Sequence, residues 1–172
     1  MAGLVYVFTG DGKGKTSAAL GVALRAAGHG LRTHITFFMK GEYPYGEQKT
    51  LGLLPNISVA RFGSLEFVDP NKVKPEEKEQ AWLALENARV AAHSGHFDLV
   101  ILDEVNVAAA WKLIDVADVI RFIKEKPENL DVVLTGRYAD PDVIAIADLV
   151  TEMKEVKHPH KRGIPSKKGI DY

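Results

Sequence analysis

Short apolar runs alternate along this chain with longer alanine-rich or amphipathic stretches, separated by glycines, prolines and acids. Residues 4–8, Leu-Val-Tyr-Val-Phe, form a β-type run that ends in Thr9-Gly10 and feeds into 16–27, an alanine-rich stretch of helical composition. Gly28-His29-Gly30 supplies a helix stop and 33–39 is a second β-rich run, so the first third of the chain predicts a βαβ unit. The stretch 40–46, rich in Gly, Pro and Tyr, predicts a loop, and the breaker Pro55-Asn56 precedes a third strand over 57–62. Pro75 opens a helix reaching about residue 92. Glu76, Glu77 and Glu79 stand at the end where the helix dipole favours acids, and Ala81, Leu85, Ala88 and Ala92 recur at helical spacing. Residues 97–102 predict a fourth strand that runs into Asp103-Glu104. A helix over 114–124, a fifth strand over 131–135, a helix over 141–147 and a candidate sixth strand over 149–153 follow. Such alternation predicts an α/β fold, a mostly parallel sheet covered by helices on both faces. With no internal repeat, low-complexity stretch or linker, residues 1–172 are expected to form a single domain.

Composition narrows the possible functions. The 172 residues are 46% hydrophobic and 26% charged, within the range of globular domains and long enough for a core without cross-links. There is no cysteine, which excludes disulfides, thiolate metal sites and thiol catalysis. Twenty-two Lys and Arg against 23 Asp and Glu leave a net charge of −1, so no nucleic-acid or lipid partner is expected from bulk charge. Apolar runs such as 4–8 and 107–111 fall far short of a membrane span, and Met1-Ala2-Gly3-Leu4 lacks the regions of a signal peptide. A cytoplasmic protein with no membrane partner is expected.

Candidate chemistry begins with Thr9-Gly10-Asp11-Gly12-Lys13-Gly14-Lys15-Thr16-Ser17, between the first strand and the first helix. That is where a phosphate-binding loop belongs. Glycines let successive amides converge on a phosphate, the helix N-terminus adds a positive dipole, Lys15 adds a charge and the Thr16 hydroxyl can bind Mg²⁺. In G-x-x-x-x-G-K-[ST] the first glycine falls on Thr9, so the loop is either Thr-substituted or one residue short counted from Gly10. The rival reading, a glycine-rich turn with solvated lysines, does not account for strand, glycines, Lys-Thr and helix occurring together. A nucleoside triphosphate is the expected ligand. Asp103-Glu104, at the end of a buried strand, has the form of the acidic element that serves the loop's Mg²⁺, with either acid available; the same pair could cap a following helix. Arg137, after the fifth strand in Thr135-Gly136-Arg137, occupies a similar carboxyl-end position and could clamp phosphates or stand in a solvated turn.

These residues, with Arg25 before Gly28-His29-Gly30, Phe38-Met39-Lys40-Gly41, Gly46-Glu47, Leu102-Asp103-Glu104, the stretch 147–153, Val156-Lys157-His158 and the ending Lys168-Gly169-Ile170-Asp171-Tyr172, resemble the P-loop type of ATP:corrinoid adenosyltransferase over almost the whole chain. The resemblance implies a RecA-like P-loop fold, a homodimer, and transfer of the 5′-deoxyadenosyl group of ATP to the Co(I) of a reduced corrinoid with release of triphosphate. It also implies an electron donor that makes Co(I), and ATP lying reversed in the loop. A cradle of amides and lysines reads charge and not chain polarity, which makes the reversal physically reasonable. Co(I) attacks C5′ with no proton to lose, so the reaction needs placement and charge stabilisation on the departing triphosphate, not a general base. Lys13, Lys15 and Arg137, the loop amides, and Mg²⁺ on Thr16 with Glu104 or Asp103 suit that task, and the resemblance places Arg25 near the nucleotide. The competing functions are a P-loop small-molecule kinase and a RecA-like ATPase module that switches a partner.

Several positions depart from the family's pattern. Asp11 stands where relatives usually have Asn, which puts a negative charge close to the nucleotide. The first strand starts almost at Met1, so the N-terminal extension that covers the site in several relatives is expected to be missing or replaced. After Gly63, where relatives carry aromatic residues that help displace the corrinoid's lower ligand, the chain reads Ser64-Leu65-Glu66-Phe67, making Phe67 and Leu65 the candidates. Ala110-Trp111-Lys112 and Pro159-His160 replace the usual residues at two further places. Tyr43 and Tyr45 could shape a ligand pocket or stand in solvent. Six basic residues against the single acid Glu155 between 154 and 168 read equally as a solvated tail or a clamp on an anionic ligand.

Overall fold

A computed structural model describes residues 2–41, 45–64 and 66–171. Six strands, β1 (Val5–Thr9), β2 (Thr33–Phe37), β3 (Ile57–Arg61), β4 (Leu99–Asp103), β5 (Asp131–Thr135) and β6 (Leu149–Glu152), form one sheet in the order β3-β2-β4-β5-β1-β6. Every pairing is parallel, so the sheet is wholly rather than mostly parallel, and all six carboxyl ends share one edge. Helices α1 (Lys15–Gly28) and α2 (Gly46–Leu51) cover one face. The other face carries α3 (Pro75–His93), α4 (Val105–Ala110), α5 (Val116–Glu125) and α6 (Pro141–Ile146).

The period-two pattern of the strands sorts their side chains. Leu99, Ile101, Ile35, Phe37 and Val133 pack under Ala19 and Ala23 of α1. Val100, Leu102, Val132 and Leu134 face Ala84, Leu85 and Ala88 of α3 and Val119 and Phe122 of α5. Runs that are apolar at every position are what a sheet buried on both faces requires. Helix starts follow their local chemistry. Pro75 occupies the first turn of α3 while the Glu77 carboxylate accepts the Lys74 N–H at 2.7 Å. Asp115 caps α5 and Asp140 caps α6, each accepting an amide at 2.9 Å.

Two helices escape the sequence pattern. The loop expected over 40–46 gives way to α2, which begins at Gly46, and the apolar stretch after Glu104 forms α4. Each has six residues, too few for periodicity to register, and neither carries the proline at its first turn that marks α6, also six residues long. Strand β2 ends two residues before the expected boundary because Met39 turns into the left-handed region at φ 55°.

The connection from β1 crosses one face as α1 on its way to β2, and the connection from β5 to β6 crosses the other as α6. Chain segments leaving neighbouring strands in opposite directions open a crevice beyond the carboxyl ends of β1, β5 and β4.

Candidate functional site

The loop between β1 and α1 is held from below by the end of β6. Gly12 N–H donates to Met153 O at 2.6 Å and Met153 N–H donates to Thr9 O at 2.8 Å. A Cβ at Gly10 or Gly12 would lie 2.5 or 2.7 Å from Met153 O, and Gly10 and Gly14 have φ of 93° and 111°. These glycines are dictated by close backbone approach and left-handed geometry. Gly14 precedes α1 with no side-chain cap, leaving the amides of the first turn free of intrahelical partners. Lys15, buried, folds back so that Nζ donates to Gly10 O and Gly12 O, each at 2.7 Å. Burial pushes its pKa down, opposed chiefly by Glu104.

Beyond the loop lies a cavity of about 820 Å³. Its lining joins Gly12, Lys13, Gly14, Lys15, Thr16 and Ser17 of the loop to Lys40, Glu104 and Arg137. Apolar side chains share the same walls: Leu20, Met39, Phe67, Val107, Trp111 and Tyr138. Thr9, Gly10 and Asp11 support the loop from outside the lining. Asp11 is exposed, and its charge favours the Lys15 ammonium. Arg137 is exposed at the mouth. Arg25 lies on the exposed last turn of α1, ten residues beyond Lys15 and so about 15 Å along the helix, away from the cavity lining. Phe67 is 92% exposed, so its ring is not packed beneath its loop, and the residue is part of the cavity lining. Leu65 and Tyr43 lie outside the described residues.

The two acids have different surroundings. Asp103, 1% exposed, receives the Thr135 hydroxyl on Oδ1 at 2.7 Å and the Lys40 ammonium on Oδ2 at 2.6 Å. Glu104 takes φ 68°, and its amide donates to Thr135 Oγ1 at 2.9 Å. It stands at the start of α4 without capping it through its side chain, so helix capping does not account for this pair. Burial and the neighbouring Asp103 push the Glu104 carboxyl above its usual range, against the pull of Lys40, Lys15 and Arg137. Lys40 Nζ also lies 3.3 Å from Thr16 Oγ1, so hydroxyl and carboxylate already converge on one cation. Among the described residues no three acid, histidine or cysteine side chains cluster to hold a metal, so a divalent ion here needs further oxygens from a nucleotide and water.

Sequence reasoning assigned no role to Lys40, named only within a motif of the resemblance, to Trp111, named only as a departure, or to Tyr138. Lys40 follows β2 at the same carboxyl edge as Asp103, and that position was the signal. Trp111 and Tyr138 reach the cavity from the end of α4 and from a residue at φ 62°, positions that only tertiary structure reveals. The tail past β6 returns across the loop, where Asp171 forms an ion pair with Lys13 and, with Gly169 and Ile170, lines the cavity.

A wholly parallel sheet flanked by helices, with a glycine-rich loop between β1 and α1 and an acid at the end of β4, is an α/β fold of the P-loop class. Residues 1–172 match the family described as ATP:corrinoid adenosyltransferase BtuR/CobO/CobP, and the chain belongs to that family. It is 38% identical to a corrinoid adenosyltransferase of Sinorhizobium sp over 99% of this chain and 80% of that protein. To corrinoid adenosyltransferases of Escherichia coli K12 and Pseudomonas aeruginosa it is 32% and 34% identical, over 99% of this chain and 86% and 84% of theirs.

Proposed function

We propose that this protein transfers the 5′-deoxyadenosyl group of ATP to the Co(I) of a reduced corrinoid and releases inorganic triphosphate. Family membership names the reaction, and the observation that supports it in this chain is one cavity that joins the cationic β1–α1 loop to apolar and aromatic walls. A triphosphate needs the cationic lining, and an adenosyl group meeting a flat macrocycle needs the apolar one. At 820 Å³ the cavity exceeds what a triphosphate alone would fill.

The triphosphate is held by the first-turn amides of α1, with Lys13, Lys15 and Arg137 supplying positive charge where negative charge accumulates as the C5′–O bond breaks. For Lys15 this means exchanging two loop carbonyls for phosphate oxygens, a short movement for a side chain already over the loop. Lys13 must leave Asp171 to do the same. Thr16, Glu104 and Asp103 fit Mg²⁺, because oxygens of Thr16 and Asp103 already gather around a cation. Mg²⁺ bound there neutralises triphosphate charge. Phe67 meets the corrinoid, with Trp111 and Tyr138 as further apolar walls; Leu65, expected to act beside Phe67, lies outside the described residues. Arg25 would reach the nucleotide of this cavity only through movement or from a second copy.

The reaction acts on Co(I), so an electron donor that reduces the corrinoid's cobalt belongs to the proposal as a partner. A homodimer in the cytoplasm completes the proposal. Among the described residues no helix is long and apolar enough to cross a membrane. Sedimentation that finds a fully active monomer at micromolar concentration contradicts the dimer.

The reaction is tested by supplying MgATP and a chemically reduced corrinoid in anaerobic buffer. Triphosphate is expected in step with a light-sensitive cobalt–carbon product, and almost no ATP is consumed without corrinoid. Steady ADP formation that ignores the corrinoid, the signature of a kinase or ATPase, overturns the assignment.

A further inference from the structure

The Lys40 ammonium is built into its position. It is followed by Gly41, where a Cβ would lie 2.5 Å from Gly63 O, and a Cβ at Gly63, itself at φ 115°, would lie 2.8 Å from Met39 Cα. The turns after β2 and β3 therefore cross in backbone contact, locked further by Lys40 N–H donating to Phe62 O at 3.0 Å. Met39 at φ 55° completes the bend that turns the lysine inward. Only 12% of the side chain is exposed. Its Nζ meets Asp103 Oδ2 at 2.6 Å and Thr16 Oγ1 at 3.3 Å, and it lies 5.5 and 5.3 Å from the ring centroids of Phe37 and Tyr45. A cation enclosed by a carboxylate, a hydroxyl and two ring faces has exchanged its water for protein partners.

We propose that Lys40 is a positioning residue that occupies the divalent-metal position between Thr16 and Asp103 until nucleotide arrives, so that metal enters only together with ATP. The proposal rests on the reading of Thr16 and the acidic pair as the metal site. A buried Asp103 carboxylate without a counter-charge would be costly, and Lys40 meets that need in the nucleotide-free protein. An ammonium and a divalent cation cannot share these oxygens, since both are positive and a few ångström apart. When nucleotide brings its own oxygens and metal, Lys40 loses Thr16 and Asp103 and gains the phosphates beside it in the same cavity.

The test is Mn²⁺ binding followed by electron paramagnetic resonance, first with no nucleotide present. Wild-type protein and Lys40→Arg, which keeps the charge, should take up little Mn²⁺ at submillimolar concentration. Lys40→Met should bind one ion at least tenfold more tightly, because a repelling charge has gone and two oxygens are free. If Lys40→Met does not fold, Lys40→Gln, neutral but able to hydrogen-bond Asp103, has the same expected result. Equal affinity in wild type and a folded neutral variant overturns the proposal. So does a wild-type protein that holds one Mn²⁺ at micromolar concentration without nucleotide. With ATP added, wild type should give the broadened spectrum of protein-bound Mn²⁺–ATP. Its absence there defeats the metal-site reading itself, a different outcome from equal affinities without ATP.

Discussion

The β1–α1 loop and the apolar lining of the cavity are built on different principles. Around the loop, glycines abut Met153 O, Asp103 is satisfied on both oxygens, and Lys15 lies across two carbonyls. Those groups belong to strand ends and a helix start. Among the apolar lining residues, Phe67 is 92% exposed and Tyr138 is 56% exposed, both on connecting segments. Charge stabilisation of a leaving group requires fixed dipoles, whereas admitting a large planar substrate requires surfaces free to rearrange. Substitutions around the loop should therefore cost rate or fold, and those in the apolar lining should cost affinity for the corrinoid.

Lys15→Ala gives the largest expected effect. Removing one preorganised charge from the leaving-group end costs about 3 kcal/mol, about two decades in kcat/KM for ATP. Normal turnover in this variant, measured by adenosylated product, contradicts the phosphate-loop reading. Gly10→Ala comes next, because a methyl at φ 93° and 2.5 Å from Met153 O must push β6 away from the loop. A cost of about 1–3 kcal/mol should appear as a thermal midpoint lower by several degrees together with weaker ATP binding. An unchanged midpoint means that the β6 contact does not hold the loop. Phe67→Ala should leave ATP affinity alone and raise KM for the corrinoid by about tenfold, in line with burial of one aromatic ring. Should ATP affinity fall equally, the loop and the apolar lining are not separable.

The smallest effect lies away from the cavity. His34 on β2 bonds Asn87 Oδ1 through Nε2 at 2.8 Å and pairs with Ser58 Oγ at 3.2 Å. Burial lowers its pKa from 6.5, partly offset by the Asn87 bond. The unfolded chain thus binds the proton more readily, so this group's contribution to stability is complete above pH 6.5 and declines as pH falls towards the depressed folded-state value. Unfolding free energy should fall less between pH 7 and pH 5 in His34→Gln than in wild type; equal slopes contradict it.

Legibility in the sequence follows the same division. The strands, α1, α3 and the phosphate loop were readable because local composition forces them: apolar runs, alanines at helical spacing, glycines ahead of Lys15-Thr16. The acidic pair was readable as a pair, but not the division of labour between Asp103 and Glu104, which depends on Lys40 and Thr135 arriving from β2 and β5. Helix α4 read as an undifferentiated apolar run because it is short and buried against β5 and α5. The return of Asp171 to Lys13 had no local signal, since 158 residues separate them in sequence.

The division of the cavity is tested most directly by binding of inorganic triphosphate, the leaving group without the nucleoside, measured by calorimetry with Mg²⁺ present. Wild-type protein should bind triphosphate in competition with ATP, Phe67→Ala should match it, and Lys15→Ala should lose about a hundredfold in affinity. Triphosphate that fails to displace ATP, or that Lys15→Ala holds as tightly as wild type, would contradict the placement of the leaving group in the β1–α1 loop.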